Sequence, residues 1–109
     1  VKRGELWTIA TGSGYTGKPR PVIIVQSDAF DSTASVTICP ITSHDVDAPL
    51  ARVMLEPTED NGLRQPSYVM VDKVTTAPRE KLGQRIGQAS KQDMLRIDRY
   101  LVVFLGVAD

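Results

Sequence analysis

The chain has 109 residues, 41% hydrophobic and 24% charged, a length and balance that suit one folded domain with one core and exclude a disordered chain. Its 13 Lys and Arg residues cancel 13 Asp and Glu, so no global positive field draws in nucleic acid, and any contact with a polyanion must come from a local patch. The longest apolar runs, Val22–Val25 and Leu101–Val107, fall far short of the ~20 residues of a membrane-spanning helix, and the opening Val1-Lys2-Arg3-Gly4-Glu5 lacks the apolar stretch of a secretory leader, which predicts a cytoplasmic protein without membrane contact.

In chain order, Glu5–Ile9 reads as a short strand and Arg20–Gln26, rich in β-branched residues, as a second. Ala10–Pro19 between them holds three glycines and reads as a loop. The third strand is Ser35–Thr42, where Val36 and Ile38 alternate with Thr37 and Pro40 marks an edge or a bulge, because proline cannot donate to a ladder. It ends in polar Thr42-Ser43-His44. Ala51–Glu56 and Ser67–Val71 form a fourth and fifth, separated by a segment whose Asn61-Gly62 signals a turn. Val74–Thr76 and Gln84–Gly87 add short strands around Pro78–Leu82, which fits one helical turn.

The period then changes. Ser90 followed by Asp93 fits a helix cap, and Met94, Ile97, Leu101 and Leu105 recur at three and four residues, which predicts a helix over Lys91–Leu105 that stops at Gly106. Leu95, Val102, Val103 and Phe104 widen its apolar face beyond one packing stripe and point to a partner. Five to seven short strands with one terminal helix predict a mostly-β fold, a barrel with a C-terminal helix, over residues 1–109 as a single domain.

Several chemistries are excluded. Gly12 to Lys18 has the spacing of a phosphate-binding loop, but Pro19 follows where that motif needs Ser or Thr and the start of a helix. One histidine and one cysteine offer no metal-ligand spacing, and Asp45 and Asp47 beside His44 read as a solvated loop, so no metal and no cofactor are expected. A Ser-His-Asp hydrolase fails because the one histidine lies in Thr42-Ser43-His44-Asp45, where adjacent side chains diverge. Cys39, near Val36, Ile38 and Ile41, reads as a buried thiol. Basic residues cluster locally at Lys18 and Arg20 and at Arg79, Lys81 and Arg85, a pattern that solvated surface also shows.

Five features appear in a fixed order: R-G-E-L-W at Arg3–Trp7, G-K-P-R-P-V-I-I-V-Q-S-D at Gly17–Asp28, P-I-T-S at Pro40–Ser43, V-D-K-V at Val71–Val74, and the terminal helix. Together they resemble the MazF/PemK-like (Kid-like) toxins of type II toxin–antitoxin systems over nearly the whole chain. The resemblance implies an SH3-like barrel of the CcdB/MazF plasmid-maintenance type that forms a homodimer. It also implies metal-independent cleavage of single-stranded RNA (mRNA, rRNA or tRNA) to 2′,3′-cyclic phosphate and 5′-hydroxyl ends. The implied outcome is arrest of translation and growth, relieved by a cognate antitoxin with an acidic disordered tail.

Such cleavage needs the 2′-hydroxyl activated, the pentavalent phosphorus stabilised and the 5′-oxygen protonated. Arg20 presents a rigid fork of donors suited to phosphate oxygens, and the resemblance makes it catalytic together with Thr42. Lys18, Ser43 and Asp72 are the implied substrate-binding residues. The loop T-G-S-G-Y-T-G-K lacks the Glu or His that many relatives carry there, and Met70 stands where one branch has an arginine two residues before the acid, so the resemblance assigns no general base. An alternative within the same fold is a non-enzymatic toxin that binds gyrase, whose terminal tryptophan-containing tail is absent from Gly106-Val107-Ala108-Asp109. A peptide-binding module would want an aromatic groove, against one Trp, three Tyr and two Phe.

Overall fold

The computed structural model describes residues 1–10, 19–44 and 51–108. Within them the chain forms β1 (Glu5–Ala10), β2 (Pro19–Ile24), β3 (Ser35–Thr42), β4 (Arg52–Leu55), β5 (Ser67–Met70), β6 (Thr75–Pro78), β7 (Leu82–Gln88) and α1 (Lys91–Phe104). Single 3-10 turns occupy Asp28–Phe30, Val71–Lys73 and Arg79–Lys81, the last where Pro78–Leu82 was expected to turn. The strands pair antiparallel in the order β4-β5-β3-β2-β1-β7, with β6 also on β3. The expected mostly-β fold with a C-terminal helix is therefore present, as a seven-stranded sheet whose ladder does not close among the described residues.

The central strand is β3, and Pro40 shapes what lies beside it. Thr37 turns its carbonyl toward β2, where it accepts from Val25 N at 3.1 Å. By the two-residue repeat of a strand, Pro40 faces its nitrogen to the opposite side. There β5 meets β3 at Ile41↔Val69 and β6 meets it at Ile38↔Thr75, so three steps along β3 oppose six along the other chain. The surplus three residues are the turn Val71–Lys73, which bulges out where proline offers no N–H to pair. The sequence predicts an edge or a bulge at Pro40; β3 itself runs on through Pro40, and the irregularity falls on the chain opposite it.

Strand alternation gives the sheet two apolar faces. Leu6, Ile23, Cys39, Ile41, Val69 and Val71 share one face, with Val53 and Leu55 of β4, and are sealed by Ile97 of α1. Ile9, Val22, Ile24, Val36, Ile38 and Ala77 share the other, which carries no helix, with Trp7 and Leu82 packed at its side. Cys39 is fully buried, and burial, reinforced by the charge of Asp72 and opposed by Arg3, pushes its thiol up to about 12.

The helix is set by its ends and one clamp. The Ser90 hydroxyl caps it by accepting from Asp93 N at 3.1 Å, and Gly106 beyond it has φ +73°, the left-handed conformation that ends helices. Arg3 donates from Nε to the Val25 carbonyl at 2.9 Å and pairs with Asp98, so one guanidinium ties the segment before β1, the residue after β2 and α1 together. Of the face expected to meet a partner, Ile97 is buried in the chain's own core, and Met94 and Leu101 pack against it. Leu95, Val102, Val103, Phe104 and Leu105 remain outward.

The Asn61-Gly62 turn is a structural plug. The buried Asn61 side chain accepts from Thr58 N and Leu63 N, both at 3.0 Å, and donates to Glu56 O at 2.8 Å. Gly62 has φ +72°, and a Cβ there would stand 2.0 Å from the Ile86 carbonyl oxygen. Gly62→Ala therefore meets both backbone strain and a backbone clash. It is expected to lower unfolding free energy by roughly 2–4 kcal/mol in urea titration, whereas a loss under about 0.5 kcal/mol would show that the turn yields freely.

Candidate active site

The helix-free face holds the groove lined by Arg20 and Thr42. β1 pairs Ile9 with Arg20 on one side and with Leu82 on the other. Directly opposed residues share a face, so Arg20, Ile9 and Leu82 form one row across β2, β1 and β7. β2 and β3 pair Val22 with Pro40, and Arg20 and Thr42, each two residues beyond that pair, lie on the same face by strand alternation.

This row borders a groove of about 460 Å³ that Arg20, Thr42 and Lys81 all line. Its floor includes Val22 and Ile38, each only 2% exposed. Its charged lining residues among those described are Arg20 and Lys81, both cations. Thr42 is half-buried, and its hydroxyl oxygen accepts from the His44 amide at 3.2 Å. That bond fixes the oxygen and leaves the hydroxyl proton available to a ligand, whose bond the upstream donor strengthens. The arrangement offers a fork of donors, one oriented hydroxyl and an apolar floor, which suits an anionic group attached to apolar surface.

The structure thus brings together the two residues proposed as catalytic. Ser43 is exposed at the strand end beside Thr42 and is not in the groove wall. Asp72 sits in the turn opposite Pro40, with both carboxylate oxygens on one guanidinium: Arg52 Nε to Oδ1 at 2.8 Å and Nη2 to Oδ2 at 3.3 Å. Arg52 pairs across the sheet with Met70, so β4 supplies an arginine beside the acid where the local sequence holds methionine. Lys18 and the Gly12–Gly17 loop lie outside the described residues.

Sequence reasoning missed two residues. Arg52 reaches Asp72 only through strand pairing, which no local pattern reveals. Lys81 was one cation in a basic cluster, and the structure separates the three. Arg79 is spent on the carbonyls of Thr33 and Phe30, Arg85 on Glu5 at 2.9 Å, and Lys81 alone of them lines the groove. The signal available was its place at the end of a turn that follows a proline.

A model of the PemK-like, MazF-like toxins of type II toxin–antitoxin systems matches residues 2–105. A probable endoribonuclease MazF from Mycolicibacterium smegmatis is 54% identical over 108 residues, 99% of each chain. Among solved structures, an endoribonuclease in complex with its cognate antitoxin from a mycobacterial species superposes with a TM-score of 0.82 at 25% identity, over 100% of this chain and 98% of that one. The Mycobacterium tuberculosis toxin MazF-mt6 gives 0.78 at 23% identity, over 94% of this chain and 96% of that one, which is a likeness of fold.

The Arg52–Asp72 pair makes a testable contribution. The side chains are 10% and 26% exposed, so removing one partner strands a largely desolvated charge. Arg52→Ala is expected to cost about 1–3 kcal/mol, with Asp72→Asn similar and the double variant cheaper than the sum of the two. Strict additivity in urea unfolding would show the pair to be energetically idle.

Proposed function

The chain belongs to the PemK-like, MazF-like toxins of type II toxin–antitoxin systems, and from that premise we propose that it is an endoribonuclease that cuts single-stranded RNA without a metal ion. The observation that carries this reading is the juxtaposition of Arg20 and Thr42 on one face, at the rim of a groove with an apolar floor and cationic edges.

In the proposed reaction the 2′-oxygen attacks the adjacent phosphorus in line and the bond from phosphorus to the 5′-oxygen breaks. The 2′-hydroxyl gives up its proton, the 5′-oxygen takes one up, and the products are a 2′,3′-cyclic phosphate and a 5′-hydroxyl. Negative charge on the non-bridging oxygens grows on the way to the pentavalent state, so donors aimed at them bind that state more tightly than the starting diester. Arg20 supplies the fork, and Thr42 donates its hydroxyl proton while His44 N holds the oxygen in place. The buried floor excludes water from part of the groove and strengthens both interactions. Lys18, Ser43 and the Arg52-held carboxylate of Asp72 complete the proposed substrate-binding set. Two phosphate-directed donors at one point favour this reading over a gyrase-binding toxin, which needs neither.

Cleavage of cellular RNA in the cytoplasm would stop translation and growth, and the partner that prevents this is a cognate antitoxin. Its acidic, disordered tail would lie in the same groove, with carboxylates in place of phosphates. A relative solved with its cognate antitoxin supports a partner of that kind. We also propose a homodimer joined through the outward apolar residues of α1. No helix among the described residues is long and apolar enough to cross a membrane.

The following outcomes are expected. Arg20→Ala and Thr42→Ala should each lower kcat on RNA by about 10²–10³ with the unfolding midpoint unchanged. Cleavage should persist in EDTA and stop at a site carrying a 2′-deoxyribose, and cutting at that deoxy site would rule out the 2′-oxygen as attacker. For assembly, Val103 and Leu105 are 59% and 57% exposed, so Val103→Asp with Leu105→Asp should leave the fold intact and halve the mass seen by light scattering. An unchanged dimer would place the interface elsewhere.

A further inference from the structure

We infer that Lys81 is a second phosphate-binding residue, and that the RNA strand crosses the sheet at right angles to its strands, from Thr42 and Arg20 over Ile9 to Lys81. This inference rests on the endoribonuclease reading for the identity of the ligand, and on the structure for the placement of the residues.

In the row Arg20, Ile9, Leu82 the two ends are two strand spacings apart, roughly 10 Å between Cα atoms, and Thr42 lines the same groove on the β3 side. Lys81 immediately precedes Leu82 and is exposed on the groove wall. Its backbone is anchored, because Arg79 N donates to Ala34 O at 3.1 Å and Leu82 N closes the 3-10 turn on Arg79 O. The long side chains of Arg20 and Lys81 close the remaining gap to successive phosphates of one strand. Between them lies Ile9, 7% exposed and part of the apolar floor, a surface for the sugar and base of the intervening nucleotide. The neighbouring cations do not compete for this role, since Arg79 and Arg85 are held by Phe30, Thr33 and Glu5.

The occupant is a polyanion with apolar faces at regular spacing, which is what a single nucleic-acid strand presents. A lysine there acts as a point charge that tightens binding without touching the scissile group, so its loss should appear in affinity and KM and spare kcat, unlike loss of Arg20.

The test measures the wild type, Lys81→Ala, Lys81→Arg and, as an exposed control on α1, Lys91→Ala. The first probe is a mixed-sequence single-stranded RNA with 2′-O-methyl groups throughout, which cannot be cut by 2′-oxygen attack. Binding is followed against salt, and Lys81→Ala is expected to weaken it about ten-fold and to flatten the log K against log salt slope by about 0.7, one released counterion. Lys81→Arg should restore both, and Lys91→Ala should match the wild type. On cleavable RNA, Lys81→Ala should raise KM about ten-fold and keep kcat within about two-fold. Unchanged affinity and slope in Lys81→Ala overturn the inference, as does an equal loss in Lys91→Ala. A wild type that binds the modified RNA but leaves the cleavable RNA intact overturns the endoribonuclease reading alone, and the salt slope then still decides the role of Lys81. A wild type that binds neither RNA overturns both.

Discussion

A missing hydrogen-bond donor at the middle of the central strand organises the rest of the molecule. Because Pro40 has no N–H, the chain opposite it cannot run as one continuous strand, and it detours through Val71–Lys73 before pairing resumes at Thr75. The detour splits what would be one long partner into β5 and β6 and places Asp72 within reach of Arg52 on β4. Val71, at the start of the turn, is driven wholly into the core, so the irregularity is held by apolar burial on one side and an ion pair on the other. Pro40 itself lines the groove. The same residue thus interrupts the ladder and opens the surface on which Thr42 and Arg20 meet.

The second consequence concerns faces. β2 and β3 send alternate residues to opposite sides of the sheet, and only one side receives a helix. Ile23, Cys39 and Ile41 are sealed beneath α1, whereas Val22 and Ile38, one residue along, floor a groove open to solvent. A strand buried on both sides but covered by the chain's own helix on only one has apolar surface to offer a ligand. Arg20 and Thr42 lie on that second side because each is an even number of residues from Val22 or Ile38. A one-residue slip of β2 against β3 would send Arg20 into the face beneath the helix, so the core register and the site register are one constraint.

This explains what was legible in the sequence. The seven strands, the Ser90 cap and the Gly106 stop follow from local patterns, and β3 was read to its ends because β-branched alternation and polar Thr42-Ser43-His44 bound it. Arg20 and Thr42 were singled out by resemblance, and nothing local in R-P-V or P-I-T says that they share a face. Arg52 and Lys81 are illegible because their partners arrive through strand pairings at sequence separations of 20 or more. The helix face was half legible: the period located Ile97 correctly on the apolar stripe, but which apolar residues the chain consumes and which it leaves outward depends on how α1 lies on β4 and on the turn at Val71. Period alone does not record that.

A chain with no net charge can still present a cationic groove, and the ion pairs show how. Arg3 with Asp98, Arg52 with Asp72, Arg85 with Glu5 and Arg96 with Asp93 match four cations to four carboxylates away from the groove wall. Burial pushes the Glu5 carboxyl up, yet hydrogen bonds from the Lys2 amide, the Trp7 indole and Arg85 outweigh it and hold the group below its ordinary range, so its charge is retained to neutralise Arg85. Pairs of this kind cancel beyond a few ångströms in salt. Arg20 and Lys81 belong to none of these four pairs, and no carboxylate among the described residues lines the groove with them. The positive lining of the groove therefore owes as much to where the carboxylates sit as to the number of cations: four of them are matched to arginines elsewhere, and the overall composition stays balanced.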